Sequence, residues 1–117
     1  ALLTNVDTAA NEDAEKEDDA VRLSTVHQAK GLEWRAVIVP WMSDGLFPSS
    51  RSLQDSEGEA EERRLFYVCA TRAKDELVFC IPECRMTRDG GMNFLSPSRF
   101  IMELPRGLLD REELTVY

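Results

Sequence analysis

The chain has 117 residues, 22 acidic side chains against 14 Lys and Arg, a formal net charge of −8 and 43% hydrophobic residues. That length allows one small domain, burying about two-thirds of the surface its unfolded chain exposes. The acidic balance counts against a free-standing nucleic-acid binder, and Cys69, Cys80 and Cys84 lack the C-x-x-C spacing of a zinc site or a paired framework. The longest apolar run, Ala36 to Met42, is far too short to span a bilayer, so a reducing cytoplasmic setting with no membrane partner and no metal site is expected.

Ala1 to Val6 reads as the tail of a helix, and Asn11 to Asp19 sets six acids against Lys16, the composition of a solvated linker; together residues 1–19 form a leading segment. Val21, Leu23 and Thr25 alternate with Arg22, Ser24 and Val26, a short strand signal, and Ala36 to Met42 predicts a second, fully buried strand. Between them lies the polar connection Thr25 to Glu33, with the chain's only histidine. In open α/β sheets ligands bind in loops at the carboxyl ends of strands. Thr25, His27, Lys30 and Glu33 are therefore candidate ligand contacts, with a solvated loop as the alternative. Asp44 to Leu53, with Gly45 and Pro48, predicts a surface loop in which Phe47 is a loop anchor or a base-stacking aromatic.

Glu61 to Ala73 predicts a helix: Leu65, Val68, Cys69 and Ala73 recur at helical spacing, and the acidic cluster Asp55 to Glu62 lies where the helix dipole favours negative charge. Arg64, Val68 and Arg72 fall in one row, placing Arg72 beside the apolar stripe. Its partner could be a carboxylate such as Glu76 or Glu33, or a phosphate, which the planar guanidinium suits better than Lys does. Leu77 to Ile81 predicts a strand, Gly90-Gly91 a turn, and Ser98 to Leu104 a short helix capped by Ser96 or Ser98. Cys69 and Cys80 are expected to pack in the core. The order strand, strand, helix, strand, helix predicts an α/β fold with a parallel sheet.

At this order and spacing TVHQAKGLEW, the apolar strand, DGLFPSSRSL, EGEAEERRLFYVCATRAKDELVF and PSRFIMELP resemble motifs V and VI of the UvrD/Rep-type superfamily 1 DNA helicases. The resemblance runs from residue 20 to 105 and implies a partial RecA-like domain, a small parallel β-sheet flanked by helices, forming the C-terminal half of motor domain 2A, with 106–117 as a tail. It implies that Arg72 is the catalytic arginine finger that reaches the γ-phosphate of ATP, and that Glu33 accepts a hydrogen bond from the nucleotide ribose. It also implies that Thr25, His27 and Lys30 meet single-stranded DNA. One short connection would then touch both ligands and couple them. Trp34 stands where the family commonly has Phe, and Gln28 and Cys69 where small residues are frequent.

None of the glycines at 31, 45, 58, 90, 91 and 107 begins a Gly-Lys pair, so the chain holds no P-loop, and no apolar run ends in an Asp-Glu pair for Mg²⁺. The family carries those parts in the first motor domain of the same polypeptide. A natural protein several times longer is expected, with ATP and Mg²⁺ as its cofactors and DNA as its partner, moving 3′ to 5′. These 117 residues alone are expected to be inactive, to hold no nucleotide and to self-associate through uncovered strand edges. Two alternatives share these motifs: a helicase-nuclease of the recombination type, and a degenerate motor serving as a binding module.

Overall fold

The computed structural model describes residues 19–114; the expected leading helix and nearly all of the acidic linker lie outside them. In chain order the elements are α1 (Val26–Ala29), β1 (Trp34–Val39), a 3₁₀ turn (Ser52–Gln54), α2 (Ser56–Thr71), β2 (Ala73–Phe79), β3 (Cys84–Met86), β4 (Met92–Phe94) and α3 (Arg99–Met102). Strands β1 and β2 form a two-stranded parallel sheet, flanked by helices as the α/β expectation requires. Parallel strands need a long crossover, and the 3₁₀ turn and α2 supply it. Strands β3 and β4 form a separate antiparallel pair, with Arg85 opposite Asn93. The chain divides into two compact units, residues 19–39 with Arg63–Val78, and Pro40–Glu62 with 79–114.

In the first unit the buried side chains are Ala29, Val39, Phe66 and Cys69. Strand β1 starts two residues earlier than the apolar run suggests and ends at Val39, because Pro40 brings no N–H to a ladder. Nor is it fully buried. Val39 points inward while Ile38 is 66% exposed, since among the described residues only one face of the two strands is covered. The alternating run from Val21 to Val26 is not a strand: Val21 is 91% exposed, and the backbone turns into α1 as soon as Thr25 can cap it. Arg35 of β1 and Asp75 of β2 pair at 3.1 Å on the open surface, where such a pair adds little.

The second unit is built around Met42, Pro48 and Phe100, with Ser43 and Ser98 buried beside them. Both serines are bonded: Ser43 Oγ donates to the Pro82 carbonyl at 3.1 Å, and Ser98 N–H donates to the Met42 carbonyl at 2.9 Å. Phe47 meets Phe100 edge to face at 5.9 Å, which settles it as the anchor of its loop rather than a free aromatic. Glu62 ties the loop down, its Oε1 accepting from Ser49 Oγ at 3.0 Å and Ser52 Oγ at 2.8 Å. Ser98, not Ser96, caps α3, its Oγ accepting from Phe100 N–H. Arg99 sits between two carboxylates, donating to Asp44 at 3.3 Å and Glu59 at 3.2 Å. Those hydrogen bonds, Asp44 first, hold its guanidinium even more firmly protonated than usual.

Helix α2 begins at Ser56, ahead of the expected Glu61, because the Asp55 carboxylate accepts the Gly58 N–H at 2.6 Å and supplies the cap. Glu57 and Glu59 then occupy the first turn, where the dipole favours them. Strand β2 is displaced from the expected Leu77 to Ile81, so Cys80 falls beyond it and is exposed, as is Cys84; only Cys69 is buried. Strands β3 and β4 went unpredicted because three residues each give too short a period to read.

A glycine inside a helix is normally about 1 kcal/mol worse than Ala, but a Cβ on Gly58 would lie 2.7 Å from the Ser52 carbonyl oxygen. Gly58→Ala should therefore lower the urea midpoint, by about 1–3 kcal/mol of stability as for other overpacked sites; a raised midpoint would show that the helix start is not packed on Ser52. Burial raises the thiol pKa of Cys69, so less thiolate is present at any given pH than at an ordinary cysteine. Timed iodoacetamide labelling at pH 8 with peptide mapping should modify Cys80 and Cys84 first, and Cys69 only as the pH rises or the protein unfolds.

Candidate functional site

The connection between Thr25 and Glu33 is folded by its own residue types. Thr25 takes an extended backbone (φ −77°, ψ 161°), its Oγ1 accepts from Gln28 N–H at 3.2 Å, and its carbonyl accepts from Ala29 N–H at 3.0 Å. That is an N-cap, and it starts the single turn of α1. The turn stops at Lys30, because Gly31 takes φ +85°, a conformation that costs a side-chain-bearing residue energy and glycine almost none. Leu32 N–H closes the stop on the Ala29 carbonyl at 3.0 Å. The Lys-Gly pair, read from the sequence as part of a polar loop, is thus a helix terminator.

His27 and Lys30 are both exposed, three residues apart at the end of this turn, and Glu33 is exposed just before β1. Thr25 is also exposed, with an acceptor lone pair given to the cap, and among the described residues its hydroxyl donates no hydrogen bond.

Arg72 follows the last residue of α2. Its Nε donates to the Val68 carbonyl at 3.1 Å, Nη1 to the Leu32 carbonyl at 3.2 Å, and Nη2 to Thr71 Oγ1 at 3.1 Å. Its own carbonyl accepts from Trp34 N–H at 2.9 Å. The arginine therefore holds the residues on both sides of Glu33, Leu32 through its side chain and Trp34 through its backbone. The carbonyls at the end of a helix lack intrahelical donors and carry the negative end of its dipole, so a cation is favoured there.

The carboxylate partner considered from the sequence, Glu76 or Glu33, is not engaged: among the described residues every acceptor of the Arg72 guanidinium is a neutral oxygen. A guanidinium has five N–H donors; among the described residues three are used, all on neutral oxygens. A half-buried Arg in that state suits an incoming anion, phosphate above all. The structure thus brings Arg72 against the Glu33 connection, while no hydrogen bond or ion pair among the described residues joins His27 or Lys30 to it. Thr71, Leu32 and Gly31 were not picked out from the sequence. A Thr-Arg pair at a helix end and a Gly after a Lys were the signals available.

Residues 1–83 match the family model described as the UvrD-like helicase C-terminal domain. The chain is 41% identical over 111 residues to the ATP-dependent DNA helicase PcrA of Bacillus subtilis, covering 94% of this chain and 15% of that protein. It is 41% identical over 115 residues to DNA helicase II of Escherichia coli, covering 97% of this chain and 16% of that protein. With the ATP-dependent DNA helicase Rep of Buchnera aphidicola it shares 43% over 91 residues, 78% of this chain and 14% of that one. The chain therefore spans about 15% of the length of the curated relatives it matches. A family model that matches residues 1–83, most of the chain, shows that the chain belongs to the UvrD-like helicases and corresponds to part of their C-terminal domain.

Proposed function

We propose that this chain is the part of an ATP-dependent DNA helicase that presents an arginine finger, a ribose contact and part of the single-stranded DNA contact. The observation that carries the reading is the Arg72 guanidinium, fixed by three neutral oxygens with no carboxylate among them. Its relatives are named as DNA helicases, PcrA and Rep among them as ATP-dependent. In phosphoryl transfer the negative charge on the moving group is stabilised by positioned cations, and a fixed arginine does this without reorganising at the moment of reaction. Arg72 has that role here. Glu33, exposed at the entrance to β1, accepts a hydroxyl proton of the ribose. Mg²⁺ with ATP, and the phosphate cradle that this chain lacks, belong to the first motor domain of the same polypeptide.

Thr25, His27 and Lys30 form the DNA side. Lys30 meets a backbone phosphate as a point charge, and the His27 ring and Thr25 hydroxyl contact the strand beside it. The Arg72–Leu32 and Arg72–Trp34 hydrogen bonds bracket Glu33 and reach the connection that carries Lys30, so occupancy of one ligand site is felt at the other. Travel is 3′ to 5′ in this reading.

In the full-length protein Arg72→Ala should lower DNA-stimulated ATP turnover on the order of 10³-fold, and Arg72→Lys should not restore it, because Lys lacks the planar fork. Turnover within about tenfold of wild type for the Ala variant would end the arginine-finger reading, given that size of effect. His27→Ala should weaken the stimulation by single-stranded DNA more than it changes basal nucleotide affinity, measured by titrating each ligand separately. Proportionate losses in both would remove His27 from the DNA side.

A further inference from the structure

Thr71 is the last residue of α2, and its hydroxyl lies between the helix end and the Arg72 guanidinium. Oγ1 donates to the Tyr67 carbonyl at 2.8 Å, with the Val68 carbonyl 3.1 Å away in the same shared bond, and accepts from Arg72 Nη2 at 3.1 Å. A hydroxyl has a single proton. With that proton committed to the helix carbonyls, a lone pair is turned toward Nη2, so the helix end and not free rotation decides where the guanidinium is received. Nε on Val68 and Nη1 on Leu32 hold the planar group at two points, and the Thr71 oxygen provides the third.

Stability gives little reason for a threonine here. The residue is exposed, water can reach a carbonyl at a helix end, and a hydroxyl bonding back to the carbonyl four residues earlier slightly disfavours the helix. What the hydroxyl does and water does not is hold Nη2 in one direction.

We propose that Thr71 is a positioning residue for Arg72, aiming its guanidinium at the transferring phosphoryl group; the inference rests on the role in turnover proposed above for the arginine. Aim matters because catalysis of this kind is mostly positioning, and a misplacement of about 1 Å can cost about 10²-fold in rate. Thr71 never touches the nucleotide and acts only through its neighbour.

The test is a set of four variants of the full-length helicase: Thr71→Val, Thr71→Ser, Arg72→Ala and the Thr71→Val/Arg72→Ala pair, each assayed for ATP hydrolysis on saturating single-stranded DNA. Thr71→Val keeps the shape and removes the hydroxyl; it should lower kcat about tenfold, the effect of losing a hydrogen bond to a charged donor, while KM for ATP stays within about twofold. Thr71→Ser should return kcat to near the wild-type value. In the Arg72→Ala background, Thr71→Val should cost nothing further, because the group it aims is gone. The inference is overturned if the Thr71→Val loss is undiminished in the Arg72→Ala background, if Thr71→Ser fails to restore kcat, or if the loss is carried by KM. An Arg72→Ala variant with wild-type turnover would instead bring down the arginine-finger reading itself, and that single variant reveals it without reference to Thr71.

Discussion

The end of α2 is the constraint on which the first unit depends. A helix leaves its last carbonyls without intrahelical partners, and here the Val68 carbonyl receives the Arg72 guanidinium, beside the Thr71 hydroxyl that bonds back to the Tyr67 and Val68 carbonyls. That satisfaction places the arginine where it can also reach Leu32, and where its own carbonyl receives the first residue of β1. Stop of helix, start of sheet and placement of the candidate phosphate-binding group are one set of hydrogen bonds. A change that disturbs the helix end therefore acts on the sheet and on the site together.

Arg99 and Arg72 make opposite use of the same chemistry. Arg99 is neutralised twice, by Asp44 and Glu59, and its N–H donors are spent on joining α3 to the loop and to α2 within the second unit. Arg72 is held as firmly but by uncharged oxygens, which fix its direction without cancelling its charge. The first arrangement serves the fold; the second leaves a positive charge oriented and available. The acidic excess of the chain belongs partly to the first kind: Asp44 and Glu59 answer Arg99, Glu62 gathers two serines, and Asp55 caps α2. A net charge of −8 therefore says less about affinity for DNA than its size suggests.

Much of the fold and the main candidate residues were legible in the sequence, for reasons that differ by element. The strong helical period of Leu65, Val68 and Cys69 gave α2, and the Ser98 cap gave α3, because both signals are local. The start of α2 was placed late because Asp55, an acid within an acidic cluster, reads as charge and acts as a cap. The alternation at Val21 to Thr25 misled, because a period of two carries no information about whether a partner strand is present. Ile38 and Cys80 misled for different reasons: an apolar residue in a strand is buried only on a covered face, and Cys80 lies beyond the end of β2.

By itself the sequence determined the family, through two long ordered motifs, and the residue types able to meet phosphate, ribose and DNA, since those depend on side-chain chemistry and spacing along the chain. Only the tertiary structure decided what Arg72 is bonded to. Its contact with Leu32 spans 40 positions of sequence, a pairing that no local pattern encodes, and the choice of neutral oxygens over Glu33 or Glu76 follows from where the end of α2 meets the connection before β1.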